Sequence, residues 1–106
     1  MSTLPKNVEL LYFADCPNVG RTRSLVEAVA AEHDVPIAIQ PREIGPAEVE
    51  RERFLGSPSL RVDGHDVEPG ADNRKTFTYA CRVYRTERGL SGQPARAWVR
   101  SALLGI

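Results

Sequence analysis

Residues 8–14 read Val-Glu-Leu-Leu-Tyr-Phe-Ala, apolar at odd and even positions alike except for Glu9. A strand with one wet face alternates, whereas a strand covered on both faces does not. This run is therefore expected to be a buried strand of the kind found in parallel sheets. A helix is expected over 17–33, because Thr22, Leu25, Val26 and Val29 recur at three- and four-residue spacings on one face. Pro17 suits its first turn, where a missing N–H costs nothing. Asp34-Val35-Pro36 breaks the pattern. Ile37 and Ile39 then alternate with Ala38 and Gln40, giving a second strand that Pro41 ends or places at an edge. Gly45-Pro46 opens a short, charged, half-exposed helix over 47–55.

The second half is choppier. Leu60-Arg61-Val62 forms a short strand, Asp63-Gly64 is a strong hairpin signal, and Asp66-Val67-Glu68 returns until Pro69-Gly70 stops it. Residues 71–75 are polar and loop-like. The run Thr76 to Tyr84 is ambiguous. Phe77, Tyr79, Cys81 and Val83 alternate as in a strand, while Phe77, Cys81 and Tyr84 also sit at helical spacing. Glu87-Arg88-Gly89 is a turn. A closing helix over 94–104 puts Trp98, Val99, Ala102 and Leu103 on one face. The order is β-α-β-α-β-β, an extra segment, then α. It implies an α/β fold with right-handed crossovers and a largely parallel start to the sheet, to which the hairpin adds an antiparallel pair.

Bulk properties narrow the function. The chain of 106 residues suits one domain, 1–106, with a single modest core. Its 14 Lys plus Arg balance 14 Asp plus Glu, so net charge offers no argument for nucleic acid or an anionic membrane. The opening MSTLPKNVELLYF holds one lysine and an apolar run broken by Glu9, so no export signal is expected. No run approaches the roughly 20 apolar residues that span a bilayer. A cytoplasmic location is expected, where two cysteines are reactive or metal-binding more often than a structural disulfide.

Cys16-Pro17 follows the first strand and opens the first helix. A thiol at a helix start meets backbone N–H groups without intrahelical partners, which favour its thiolate; Arg21 and Arg23 add to this and Asp15 opposes it. The bland alternative is a small buried hydrophobe at a strand end. Cys81 stands between two readings, a core residue among Phe77, Tyr79 and Val83 or a thiol that resolves Cys16.

Together, Tyr12-Phe13-Ala14-Asp15-Cys16-Pro17-Asn18, the later Phe54-Leu55-Gly56-Ser57-Pro58-Ser59 leading into a hairpin, Asp66-Val67-Glu68-Pro69-Gly70 and Cys81-Arg82-Val83-Tyr84 carry a resemblance. The chain resembles the thioredoxin-like superfamily, well over residues 8–70 and loosely in the final helix. More narrowly it resembles small bacterial thioredoxin-like proteins. Some of these carry selenocysteine at the position of Cys16, and some are labelled alkylmercury lyases by weak similarity. The resemblance implies a four-stranded mixed sheet flanked by helices, with the Cys81 segment as an addition before the last helix. It implies a cis Ser57-Pro58 bond beside the active cysteine, where backbone groups can pair with an extended thiol substrate. Pro17, Ser57 and Pro58 are then the substrate-binding residues. The chain departs from the family at Val19, where a second cysteine usually stands, and at Asp15, which is aromatic in thioredoxin itself. A local Cys-x-x-Cys pair is therefore excluded.

Three functions follow. The first is a thiol-dependent oxidoreductase. Cys16 attacks a disulfide or peroxide, Cys81 or an external low-molecular-weight thiol resolves the product, and no cofactor is involved. The second is capture or cleavage of soft metal or organomercurial species by Cys16 and Cys81, with Asp15 as proton donor. The third is a non-catalytic binding module. A structural zinc site is not expected, since His33, His65 and the two cysteines match no usual ligand spacing. Arg82, Arg85 and Arg88 read as a solvated face, with an anion site for a glutathione-like carboxylate as the alternative.

Overall fold

The computed structural model describes residues 4–106; the first three residues of the run read above for an export signal lie outside it. Four strands form the main sheet: β1 (Lys6–Tyr12), β2 (Ile37–Glu43), β3 (Ser59–Val62) and β4 (His65–Asp66), in the order β2-β1-β3-β4. β1 and β2 run parallel, in a register that pairs Val8 with Ile39 and Tyr12 with Glu43. β3 lies antiparallel to β1, and β4 antiparallel to β3. The parallel relation thus ends at β2. The sheet is mixed, as expected, but not parallel over its first three strands.

α1 (Val19–Glu32) and α2 (Arg96–Leu104) pack against one another and share one core. Thr22, Val26, Val29 and Ala30 are the buried positions of α1. Val26, Val29 and Ala30 meet Val8 and Leu10 of β1, Leu60 and Val62 of β3, and Val99 and Leu103 of α2. Leu11 belongs to a second core with Ile44, Val49 and Phe54. Cores on both sides of β1 explain why its apolar residues do not alternate. Glu9, the exception, accepts a hydrogen bond from Arg42 at 2.8 Å, and Arg42 also pairs with Glu52 at 2.7 Å. That hydrogen bond from Arg42 holds the Glu52 carboxyl below its ordinary value.

The helix expected over 47–55 does not form. Pro46–Glu48 is one 3-10 turn, and irregular turns carry the chain to Arg53, whose φ of 55° is incompatible with a right-handed helix. Between Pro46 and Leu55 only Val49 and Phe54 are buried, too few for a helical stripe, while the rest is Ala47 and five charged residues, Glu48, Glu50, Arg51, Glu52 and Arg53. Pro41 stands within β2 rather than ending it, and β2 is an edge strand, where a missing N–H is tolerated. Asp63 and Gly64 take φ of 50° and 87°, the left-handed pair that a tight β3–β4 hairpin needs. The polar stretch after Gly70 holds a 3-10 turn, Ala71–Asn73. His65 is the first residue of β4.

The run from Thr76 to Val83 is neither strand nor helix. Its single regular feature is an isolated parallel bridge between Cys81 and Ser57. Beyond it, β5 (Tyr84–Thr86) and β6 (Gly89–Ser91) form a separate hairpin. No helix among the described residues is long and apolar enough to cross a membrane.

Candidate functional site

Cys16 lies in the turn between β1 and α1. Its N–H donates to the Phe13 carbonyl at 3.4 Å, and the residue is half-buried. α1 begins later than expected, at Val19 with Asn18 as its N-cap, so Cys16 stands two residues ahead of the cap. The Asn18 side chain makes no capping hydrogen bond, and the first turn has no acidic residue. Asn18 lies instead against Gly92, where an added Cβ would fall 2.3 Å from Asn18 Nδ2. Asp15 is exposed and takes φ of 66°, a left-handed conformation that short polar residues such as Asp tolerate. Pro17 is exposed beside Cys16.

The Ser57-Pro58 bond is cis, as the resemblance implied, and both residues are buried. Ser57 connects two parts of the site. Its Oγ accepts the N–H of Phe13 at 3.2 Å, at the start of the Cys16 turn. Its backbone N–H donates to Ala80 O, and its carbonyl accepts from the Arg82 N–H, both at 2.9 Å. Cys81 therefore sits opposite Ser57, on a strand-like segment seated against the residue before Pro58. Tyr79 extends this contact, its ring 5.1 Å from that of Phe13.

Cys81 is exposed and free, so the reading of it as a core residue is corrected. In the run from Phe77 to Tyr84 burial is confined to the end: Thr78 to Cys81 and Val83 are exposed, whereas Arg82 and Tyr84 are 3% and 0% exposed, and Phe77 is half-buried against the second core. The backbone pairing with Ser57 and the anchoring of Arg82 fix this arrangement.

The solvated reading of Arg82 is likewise corrected; Arg85 and Arg88 are exposed, as expected. Arg82 donates Nη1 to Asp66 Oδ2 at 2.7 Å and to Ser59 Oγ at 2.9 Å. Its Nη2 reaches Asp66 Oδ1 and Glu68 Oε1, each at 3.0 Å. Burial alone works against its charge, but the hydrogen bonds and ion pairs with Asp66 and Glu68 outweigh it and hold the guanidinium above its ordinary range. Arg74 caps the second oxygen of Glu68. The Arg82 guanidinium also lies 4.4 Å from the centre of the Tyr84 ring. The Tyr84 hydroxyl donates to the Pro58 carbonyl at 2.6 Å, and burial pushes this phenol well above its ordinary value.

Gly56 completes the seat. With φ of 112°, a Cβ there would fall 2.9 Å from the Ala80 carbonyl. Sequence reasoning missed Gly56 and the buried role of Arg82 as parts of the site. No local signal marks Arg82, because the carboxylates that bury it, Asp66 and Glu68, lie 16 and 14 residues earlier in the chain.

A chain of hydrogen bonds thus runs from the Cys16 N–H through Phe13 to Ser57, and from the Ser57 backbone to Ala80 and Arg82 on either side of Cys81. His33 stays apart at the end of α1 and His65 at β4. Among the described residues, no group of three or more His, Cys, Asp or Glu is placed to hold a metal. Compared with protein-family models, curated proteins and solved structures, the chain finds no significant match.

Proposed function

We propose that this protein is a thiol-dependent oxidoreductase of thioredoxin-like architecture, with Cys16 as nucleophile and Cys81 as resolving thiol. The observation that carries the reading is the double use of Ser57, whose side chain holds the Cys16 turn while its backbone holds the residues on either side of Cys81. The strand order and the cis bond before β3 support the architecture.

In the reaction, the Cys16 thiolate attacks one sulfur of a substrate disulfide. A Cys16 mixed disulfide forms and one substrate thiolate departs. Cys81, as thiolate, then attacks the Cys16 sulfur and releases the second substrate thiol. The substrate gains two electrons, and Cys16 and Cys81 are left joined. Two equivalents of an external low-molecular-weight thiol return the protein to its dithiol form. With a peroxide, the Cys16 thiolate attacks one oxygen, the O–O bond breaks and an alcohol or water departs, leaving a sulfenic acid; Cys81 then displaces its oxygen as water and forms the disulfide. To Asp15, the exposed neighbour of Cys16 in the chain, we assign proton exchange with departing thiolates.

Turnover of 2-hydroxyethyl disulfide with excess thiol tests the reading. Cys16→Ser should abolish protein-dependent turnover. Cys81→Ser treated with the disulfide alone, without added thiol, should accumulate the Cys16 mixed disulfide, visible by mass. Turnover that survives Cys16→Ser contradicts it.

A further inference from the structure

We infer that the substrate taken at Cys16 is a small disulfide or peroxide and not a polypeptide, because residues 80–82 fill the strand edge along which a polypeptide would lie. This rests on the oxidoreductase reading above and names its substrate class.

A half-buried sulfur is awkward for a protein disulfide to reach. An extended substrate segment gains purchase by pairing its backbone with a free strand edge nearby. Ser57 provides the edge nearest the Cys16 turn. Its N–H and C=O are both engaged, by Ala80 O and the Arg82 N–H. The other edge at this end of the sheet is β2, which is interrupted by Pro41, a residue with no N–H to offer.

The covering segment is held from both sides. Before Cys81, the Thr78 N–H donates to Phe54 O at 2.9 Å, and Tyr79 lies on Phe13. After Cys81, Arg82 is locked among Ser59, Asp66 and Glu68, and Tyr84 is bound to Pro58 O. Displacing the segment would strip a buried guanidinium of two carboxylates, a large cost. An incoming peptide would recover only two backbone hydrogen bonds. Cys81 therefore stands where a protein substrate would place its own cysteine. The same strand that supplies the resolving thiol excludes the polypeptide.

The test uses Cys81→Ser, so that Cys16 is the reacting thiol. Two mixed disulfides share thionitrobenzoate as leaving group, one built on glutathione and one on a long extended peptide with a single cysteine. Each release rate is divided by that of the same reagent with free cysteine. An open edge giving two hydrogen bonds would speed the peptide about tenfold to thirtyfold over glutathione. The filled edge predicts a normalised ratio at or below about one. Amide hydrogen exchange in the wild-type protein checks the edge independently: the Ser57 and Arg82 amides should be protected like those of β1 and β3. A peptide advantage of about tenfold, or Ser57 and Arg82 amides exchanging like an exposed loop, would overturn the inference and leave the oxidoreductase reading intact. Silence of Cys16 toward both reagents would instead overturn the oxidoreductase reading, and the substrate class with it.

Discussion

Cys81 faces Ser57 across a single parallel bridge, with Ser57 hydrogen-bonded to the residues on either side of it. A bridge of two hydrogen bonds is too small to hold a segment by itself. Its persistence depends on what is buried next to it, chiefly Arg82.

Replacing Arg82 with Met leaves Asp66 and Glu68 without their buried counter-charge. Removing one partner of such a cluster costs roughly 3–5 kcal/mol. Denaturant unfolding of Arg82→Met should show a loss of this order. Adding Asp66→Asn and Glu68→Gln should recover part of it, because the stranded charges are gone. A loss of under about 1 kcal/mol would place Arg82 among ordinary surface cations.

Gly56→Ala tests the close approach of the same segment. The substitution combines a left-handed φ with a Cβ 2.9 Å from the Ala80 carbonyl. The expected loss is about 1–3 kcal/mol, with raised exchange at the Ser57 amide. A neutral substitution would show that residues 80–82 do not press on Gly56.

Tyr84 gives a pH signature. Its phenol is neutral when folded and titrates well above the unfolded value of about 10. A raised folded pKa contributes stability that is complete below the unfolded pKa and is lost as pH rises toward the folded one. The wild type should therefore lose stability above about pH 10 more steeply than Tyr84→Phe. At neutral pH that variant should be weaker by about 1–3 kcal/mol, since the Pro58 carbonyl loses its donor. Parallel alkaline profiles would contradict the burial of the phenol.

Glu52 gives the opposite sign. Arg42 holds its folded pKa below the ordinary value, so its contribution is complete above about pH 4.3 and fades as pH falls through the folded value. The stability gap between wild type and Glu52→Gln should narrow from about pH 5 to about pH 2. A gap independent of pH would mean that the Arg42 pairing contributes nothing.

Much of the fold was legible because its signals are local. The apolar run at Val8, the helical spacing of Thr22, Val26 and Val29, and the Asp63-Gly64 turn each act over a few residues. Cys16 was legible for the same reason, as a thiol between a strand and a helix. The helix expected over 47–55 failed because charge and a short apolar pattern cannot separate one irregular turn from a helix. The Cys81 segment stayed ambiguous between strand and helix because its apolar positions, Phe77, Tyr79, Cys81, Val83 and Tyr84, fit both spacings. Its conformation is set by partners far along the chain, Ser57, Asp66 and Glu68, and no short-range pattern carries such a pairing. Arg82 illustrates the point: alone it reads as solvated, and only the distant carboxylates bury it.

The most direct test of the central claim is the product of mild peroxide oxidation, read by intact mass and peptide mapping. The account predicts an intramolecular Cys16–Cys81 disulfide, seen as the loss of two hydrogens, with no shift to dimer. Closing a loop across the 64 intervening residues should also raise the unfolding midpoint. The chain-entropy stabilisation is about 4 kcal/mol, less any native strain. Cys81→Ser should instead accumulate a Cys16 sulfenate or an intermolecular dimer. A wild-type protein that yields only those species under the same oxidation would contradict the pairing of Cys81 with Cys16.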